Sequence, residues 1–358
     1  MDNGGNASLT AEIEELKAQA TAASLPEELK RKVTGMLTHL VRMVATAAYS
    51  AEYERAVHYL DWVTNLPWNK RSEDTLDLAK AKAVLDEHHY GLEEVKERIL
   101  EYIAVLKLTK EKEGNPFARA PILLLVGLVG TGKTTFAISL ALALNRKFVR
   151  VPLGGMGSAR DLRGQSRLHL EAEPGAIIKA IRRAGVKNPV ILLDEVDRVT
   201  SEGRGDIAGV LVELLDPEQN NAFLDHYIDY PFDLSEVLFV ATANNTGNIA
   251  TAVMDRLEPI SMPSYTDEQK VVIGKNYLLP KAVAEAGLAA KDVAVEESLW
   301  PDIVRPLGYD AGIRTLQRTI KGIVRKVAKM KADGQSMPIQ LTVANLKEFL
   351  PTYQTEIG

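Results

Sequence analysis

Eight consecutive residues, GLVGTGKT from Gly127 to Thr134, have the types and spacing needed to hold the phosphates of a nucleotide. They satisfy the pattern G-x-x-x-x-G-K-[ST] and lie between a short apolar run and an apolar helical stretch. Glycines let backbone N–H groups surround phosphate oxygens, a lysine reaches the β- and γ-phosphates, and a Thr hydroxyl ligates Mg²⁺. A chance glycine-rich turn is the alternative, and it leaves the flanking strand and helix unexplained. The candidate nucleotide-binding residues here are Gly127, Gly130, Thr131, Gly132, Lys133, Thr134 and Thr135.

Two carboxylates, Asp194 and Glu195, follow the apolar run Val190–Leu193. A parallel strand of this kind would deliver both to the sheet edge that carries the phosphate loop. Asp194 would then hold the Mg²⁺ shell together with Thr134, while Glu195 would polarise the water that attacks the γ-phosphate. An isolated Asp-Glu pair after a strand is usually just the start of a loop, but the phosphate-binding pattern favours the catalytic interpretation.

Three further polar residues could act on the same phosphates. Asn244 follows the apolar run Val237–Ala241 and could orient the attacking water, although an Asn at this place is more often a turn residue. Arg256 and Arg314 could contact phosphate, although single arginines are usually exposed to solvent. Spacing alone does not choose between these interpretations.

The elements that would position these residues follow from the alternation of short apolar runs with longer helical patterns. Runs at Ile122–Val126, Phe148–Val151, Val190–Leu193 and Val237–Ala241 predict buried strands of an α/β, doubly wound parallel sheet. Helical periodicity also covers 9–58 and most of the chain after Pro263, up to a short strand at Ile339–Thr342 and a last helix. We predict an N-terminal helical region and linker (1–75), a nucleotide-binding domain (76–262) and a C-terminal helical lid (263–358). The stretch Thr64–Arg71 predicts a linker or an ordered extended crossing.

Bulk composition is that of an ordinary globular protein. The 358 residues carry a formal net charge of -5 and no cysteine, which excludes disulfides, thiolate metal sites and a cysteine nucleophile. The polar, acidic N-terminus lacks the pattern of a signal peptide, and no apolar run approaches the length that spans a membrane. We expect a cytoplasmic protein without a membrane partner.

The order of these motifs resembles the AAA+ segment of Lon proteases from about residue 55 to 350. The resemblance rests on GLVGTGKT, KNPVILLDEVDRV, DRLEPI and GIRTLQRTI, and above all on the specific strings DWVTNLPW and LDPEQN. It implies an AAA+ ATPase that uses ATP/ADP and Mg²⁺, forms a homohexameric ring and threads unfolded or damaged protein substrates through a central pore. By position, Asn244 matches sensor 1, Arg256 an arginine finger offered to a neighbouring subunit, and Arg314 sensor 2. His89, Tyr90 and Gly91 match the segment near the adenine.

Three departures from the family pattern affect what the resemblance implies. Leu128 and Val129 replace two prolines of the phosphate loop, which should loosen the loop and leave every phosphate ligand in place. His169 and Leu170 replace the aromatic and aliphatic pair of the substrate pore loop, where His169 could serve as a flat ring of similar reach. Glu171 and Glu173 add carboxylates there, so we expect the pore to favour neutral or basic stretches. Third, the Ser-Lys peptidase of the family is expected to lie outside this chain.

Two other functions stay open from the sequence. One is a stand-alone AAA+ chaperone or remodelling ATPase that needs no peptidase. The other is a nucleic-acid ATPase, which the acidic balance and the lack of a basic stripe with interleaved aromatics disfavour. Basic stretches at Lys179–Arg183 and Lys321–Lys331 leave a weak DNA contact possible, and solvated helix faces are the alternative.

Overall fold

The computed structural model describes residues 3–45, 51–113, 121–169, 171–305 and 312–350. The described residues form two compact units. The first draws on Met1–Leu85, Lys96–Leu125 and Thr134–Ile260; the second draws on Asp86–Val95, Val126–Lys133 and Ser261–Gly358. The domain boundaries after residues 75 and 262 stay predictions, because compactness alone does not define an independently folding domain.

Three helices open the first unit: α1 (Asn3–Ala22), α2 (Glu27–Ala45) and α3 (Ala51–Thr64). In α2 the buried residues recur at helical spacing and form one apolar face: Leu29, Val33, Leu37, Leu40 and Val44. In α3 the buried Tyr59 hydroxyl donates to the carbonyl of Ile228, 3.0 Å away. The predicted N-terminal helical region is therefore present, and it packs on the rest of the first unit.

Residues 65–77 form no helix or strand, and their side chains make contacts within the first unit. The Trp68 ring packs against Phe232, with centroids 5.1 Å apart. Further along, the guanidinium of Arg146 binds both carboxylate oxygens of Asp74, at 2.7 and 2.8 Å. The side chains of this segment are thus packed on the first unit, and its role as a linker between domains stays a prediction.

The centre of the first unit is a five-stranded parallel sheet. Its strands are β1 (Ile122–Val126), β2 (Phe148–Pro152), β3 (Val190–Asp194), β6 (Leu238–Ala243) and β7 (Leu257–Ser261), in the order β2-β3-β6-β1-β7; the short β4 (Phe223–Asp225) and β5 (Tyr230–Phe232) form a separate antiparallel hairpin. Every residue of β3 and β6 is buried, as expected for inner strands of a sheet covered on both faces. The α/β prediction and its four strands are confirmed. Strand β7 was missed because Glu258 and Pro259 interrupt its apolar pattern, and the hairpin because its strands have three residues each.

Helices flank this sheet along the chain. They are α4 (Leu78–His88), α5 (Glu93–Glu113), α6 (Lys133–Ala143), α7 (Ala159–Arg163), α8 (Ala176–Ala184), α9 (Arg204–Leu214) and α10 (Thr251–Met254). The α7 helix starts with a capping arrangement, in which the Ser158 hydroxyl accepts the N–H of Arg160 and the Asp161 carboxylate accepts the N–H of Ser158. Among the residues described, no helix combines the length and apolar character needed to cross a lipid bilayer.

The C-terminal part of the second unit, after Ser261, is helical, as the sequence predicts for the lid. Its elements are α11 (Asp267–Ile273), α12 (Leu279–Glu285), β8 (Val293–Val295), α13 (Trp300–Val304), α14 (Arg314–Ala332), β9 (Ile339–Leu341) and α15 (Leu346–Phe349). The core gathers around Trp300, Ile320, Val327 and Phe349. Strand β8, which the sequence did not predict, pairs in parallel with the predicted β9.

Candidate nucleotide site

The phosphate loop follows β1 directly and ends where α6 begins at Lys133. Gly130 and Gly132 have φ of 85° and 97°, a backbone conformation that residues with a Cβ rarely adopt. A Cβ on Gly127 would lie 2.6 Å from the carbonyl oxygen of Met262. Glycines are therefore required at these positions by the backbone itself, and the loop has the shape of a cradle for an anion at a helix N-terminus.

Side chains of the loop reinforce that cradle. The Lys133 ammonium donates to the carbonyls of Gly127 and Leu128, at 2.6 and 3.0 Å. The fully buried Thr131 donates its hydroxyl to the carbonyl of Leu128 at 2.9 Å. Thr134 lies in the first turn of α6, half-buried. The predicted phosphate ligands thus occupy one tight turn, with the lysine folded along its inner carbonyls.

The start of α14 packs on the phosphate loop. The Ile313 N–H donates to the carbonyl of Gly130 at 3.0 Å. A Cβ added to Gly130 would lie 3.3 Å from the Cβ of Arg314, and one added to Gly312 would lie 2.5 Å from the carbonyl oxygen of Val129. The structure therefore places the predicted Arg314 beside the loop. It also gives Gly312 a role in close approach that sequence reasoning missed.

The segment predicted to lie near the adenine belongs to the same unit as the phosphate loop. His89 is buried, whereas Tyr90 is 37% exposed, with its ring 6.4 Å from that of Tyr277. Gly91 has φ of 65°, and a Cβ there would lie 3.2 Å from the side-chain nitrogen of Gln269. The two exposed tyrosine rings beside this glycine turn form a surface on which a flat ring such as adenine can stack.

Asp194, the last residue of β3, is 95% buried, and both of its oxygens have partners. The Nε of Arg150 donates to Oδ2 at 2.6 Å, and the Thr242 hydroxyl donates to Oδ1. The same Thr242 oxygen accepts the backbone N–H of Glu195 at 3.0 Å. The buried charge is thus both paired and hydrogen-bonded. Arg150 and Thr242 were missed from the sequence, because they come from the neighbouring strands β2 and β6.

Glu195 adopts the left-handed backbone conformation, with φ 59° and ψ 50°. This conformation is uncommon for a residue with a side chain, and such residues cluster at functional sites. Its side chain is 36% exposed and lies 3.4 Å from Arg198. The carboxylate is therefore held at the surface of the sheet edge, as a group that acts on a bound ligand requires.

Asn244 follows the last residue of β6, and Asp197 fixes its backbone. One carboxylate oxygen of Asp197 accepts the N–H groups of Asn244 and Asn245, at 3.1 and 3.4 Å. Asp197 is itself 95% buried in the turn after β3. The predicted sensor residue and the carboxylates after β3 are therefore tied to each other, and Asp197 is a further residue that sequence reasoning missed.

Arg256, between α10 and β7, is held by two acceptors within the first unit. Its Nη2 lies 3.2 Å from a carboxylate oxygen of Asp216, and its Nη1 donates to the carbonyl of Ala252 at 2.8 Å. The side chain is 30% exposed. Whether it acts on another copy of the chain stays a prediction.

The loop that carries the predicted pore residues borders an open cavity of about 940 Å³ in the first unit. Its lining includes His169, Glu171 and Glu173 from the loop and His58 from α3. Glu173 lies 3.7 Å from His58 and 3.5 Å from Lys179. The other predicted pore residue, Leu170, falls outside the described residues.

The donors expected for Mg²⁺ are oxygen atoms, the type that this ion prefers. No group of three or more His, Asp or Glu side chains that could hold a metal ion occurs in the described part of the chain. Proteins usually bind Mg²⁺ through one or two oxygen ligands together with nucleotide phosphates rather than in a cage of their own. The Thr134 hydroxyl and the Asp194 carboxylate fit that mode by their chemistry.

Comparison with known proteins defines the class first. The family model for "ATPase family associated with various cellular activities (AAA)" matches residues 123–264, and that for "Lon protease AAA+ ATPase lid domain" matches residues 284–339. The nucleotide-binding fold and its loop therefore define an AAA ATPase domain followed by a lid.

Relatives of this chain define the family further. It is 44% identical over 339 residues to a Lon protease of Lawsonia intracellularis, 45% over 348 residues to one of Roseiflexus castenholzii, and 45% over 345 residues to Lon protease 2 of Thermus thermophilus. These alignments cover 95–97% of the chain and 40–43% of the relatives. The chain belongs to the Lon protease family and corresponds to its AAA+ ATPase and lid segments. It spans about two fifths of the length of these relatives.

Proposed function

We propose that this chain binds and hydrolyses ATP to unfold and translocate protein substrates, as the AAA+ module of a Lon-type protease that feeds a Ser-Lys peptidase. The observation that carries the proposal is the hydrogen bond from Ile313 at the start of α14 to Gly130 in the phosphate loop. A lid helix that begins on the phosphate loop is placed to respond to the γ-phosphate. Its response to hydrolysis would be the source of movement.

Each candidate residue has a distinct part in the proposed hydrolysis. Lys133 and the loop amides hold the β- and γ-phosphates. Glu195 accepts a proton from the attacking water, and Asn244 orients that water. Mg²⁺, when bound through Thr134 and Asp194, neutralises charge that builds up on the phosphate oxygens.

The remaining elements of the proposal concern assembly and substrate. Arg256 would reach the nucleotide of a neighbouring copy, which requires a ring, and a homohexamer in the cytoplasm is the form that we propose. Unfolded or damaged proteins would thread past the loop of His169, where Glu171 and Glu173 favour neutral or basic stretches. His169 would contact the polypeptide in place of the aromatic residue common in the family.

Two alternatives are weaker. A stand-alone chaperone or remodelling ATPase would use the same site without a peptidase. A nucleic-acid ATPase is disfavoured by the pairing of the basic residues on α14: Lys321 binds Glu285 at 2.8 Å, Lys329 binds Asp333 at 2.5 Å, and Lys331 binds Asp292 at 2.6 Å. Each pair puts a carboxylate beside the lysine, which lowers the positive charge that this helix offers to a phosphate backbone.

Two substitutions test the proposed hydrolysis. Glu195→Gln should retain ATP binding, measured with a fluorescent nucleotide analogue, and lose hydrolysis by at least about 100-fold, because the base for the water is gone. Lys133→Ala should lose binding itself. If Glu195→Gln hydrolyses ATP at the wild-type rate, the proposed mechanism is wrong.

A further inference from the structure

The string LDPEQN, which marks the family resemblance, folds into a turn organised by Asp216. One carboxylate oxygen of Asp216 accepts the N–H of Glu218 at 2.9 Å. The other accepts the side-chain amide of Gln219 at 2.9 Å. The backbone carbonyl of Asp216 accepts the N–H groups of Gln219 and Asn220. The carboxylate is thus fixed in place by its own turn before it meets any residue from another element.

This fixed carboxylate meets the guanidinium of Arg256. The distance from Asp216 Oδ2 to Arg256 Nη2 is 3.2 Å. The carbonyl of Ala252 in α10 holds the opposite nitrogen, Nη1, at 2.8 Å. The turn after α9 and the helix α10 therefore hold one guanidinium through two of its nitrogens.

The charge on Asp216 is favoured by the same contacts. The backbone N–H of Glu218, and to a lesser extent Gln219 and Arg256, hold the pKa of Asp216 below its usual range. The pair is therefore a carboxylate and a guanidinium at neutral pH, and the contact between them is a charge-assisted hydrogen bond.

We propose that Asp216 is the positioning residue for Arg256, orienting its guanidinium towards the nucleotide of a neighbouring copy of the chain. The inference rests on the proposed role of Arg256 in trans. A free arginine side chain samples many rotamers. Arg256, held by one oxygen of Asp216 and by the carbonyl of Ala252, loses that freedom on folding instead of at the catalytic step. In this role Asp216 acts on the nucleotide only through Arg256, so its removal affects turnover and leaves nucleotide affinity intact.

The opposite effect of the same contact is sequestration, in which Asp216 would hold Arg256 away from its target. The two roles predict opposite effects of one substitution on turnover. Under positioning, Asp216→Asn lowers turnover; under sequestration, it raises turnover.

The experiment uses the assembled full chain and measures kcat, KM for ATP and the affinity for a fluorescent nucleotide analogue. Asp216→Asn keeps the oxygen that accepts Glu218 N–H and removes the charge. It should lower kcat roughly 10- to 100-fold, the size of effect that follows a displacement of about 1 Å in a catalytic group. KM and nucleotide affinity should stay within about twofold, which also reports that the fold is intact. Glu218→Gln, exposed on the same turn, is the matched control and should match wild type.

A double-mutant cycle separates this inference from the function on which it rests. In an Arg256→Ala background, Asp216→Asn should cause no further loss of kcat, because its effect passes through Arg256. If Arg256→Ala lowers kcat and Asp216→Asn does not, or raises it, the positioning role is overturned and the finger stands. If Arg256→Ala itself keeps wild-type turnover at every protein concentration, the trans role fails and the inference fails with it.

Discussion

At the scale of single residues, the most informative feature is how the charge of the buried Asp194 is compensated. A carboxylate that is 95% buried keeps its charge only when it is paired, and Arg150 and Thr242 provide the partners. Arg150 is half-exposed, so it can leave the carboxylate at little cost in burial. An Mg²⁺ ion that binds Asp194 must therefore compete with the Arg150 guanidinium, which already occupies one carboxylate oxygen of Asp194.

Removing that cation should strengthen the binding of Mg²⁺. Arg150→Gln should lower the Mg²⁺ concentration for half-maximal nucleotide binding roughly 3- to 10-fold, since like charges a few ångströms apart repel and solvent screens part of the effect. The measurement is a titration of Mg²⁺ against a fluorescent ATP analogue. Arg98→Gln, which removes a surface ion pair with Glu258, is the control. A variant that needs more Mg²⁺ than wild type would show that Arg150 assists the ion and does not compete with it.

The sequence could predict the residues proposed to hold the nucleotide and its metal ion, but not the residues that contact them from other strands. Lys133 and Asp194 stand in motifs whose spacing is local, so one stretch of chain reveals each of them. Arg150 and Thr242 reach Asp194 through the pairing of β2, β3 and β6, in which Val190 lies opposite both Phe148 and Leu238. Strand register of this kind depends on the packing of the whole sheet, which no local pattern encodes.

At the scale of elements, the main feature is the close approach of the backbone of α14 to the phosphate loop. The start of α14 meets the phosphate loop through Gly312, whose missing side chain leaves room for the carbonyl of Val129. The atoms nearest to an added Cβ belong to the backbone of Val129 and Gly130, so they cannot rotate away from a methyl group as a side chain could. The position of α14 beside the phosphate loop therefore requires a residue without a side chain at position 312.

A methyl group at that point should separate the two elements. Gly312→Ala places a Cβ 2.5 Å from Val129 O and 2.6 Å from the carbonyl carbon of Gly130. We expect nucleotide affinity to fall by about tenfold or more, because the loop and the helix must shift apart. Gly209→Ala in α9, where an added Cβ meets nothing within 4 Å, is the matched control and should bind nucleotide normally. Wild-type affinity in Gly312→Ala would mean that α14 does not shape the loop.

The loop that carries His169 gives a prediction about substrate charge. Glu171 and Glu173 line the same cavity as His169, so basic segments should bind better there than acidic ones. Two unfolded substrates matched in length and apolar content, one rich in Lys and one rich in Glu, should differ in the rate at which the full protease degrades them. Glu171→Gln should reduce that difference. Equal rates for both substrates in the wild-type protein would refute the preference.

Element types were predictable where patterns are long, and not where elements are short. The helix α14 covers 19 residues with a regular apolar face, and β3 is a pure apolar run, so both were predicted. The strands β4, β5 and β8 have three residues each, too few to show a period. They depend on tertiary pairing for their existence.

At the scale of the whole molecule, each of the two compact units carries some of the candidate residues. The phosphate loop, the segment of Tyr90 and the start of α14 belong to the second unit, whereas Asp194, Glu195, Asn244 and Arg256 belong to the first. The chain carries both groups of residues because it contains both the AAA domain and the lid domain of its family. We propose that the neighbouring copy supplies the last group, Arg256, and this makes assembly the central requirement of the proposed function.

The most direct test is ATPase activity measured over a wide range of protein concentration, with sedimentation on the same samples and Glu195→Gln beside the wild type. We predict that specific activity rises steeply with concentration, follows the appearance of a hexamer and vanishes in the variant, because each site needs Arg256 from another copy. A specific activity that is independent of concentration, in a chain that sediments as a monomer throughout, would contradict the proposal that hydrolysis depends on a ring.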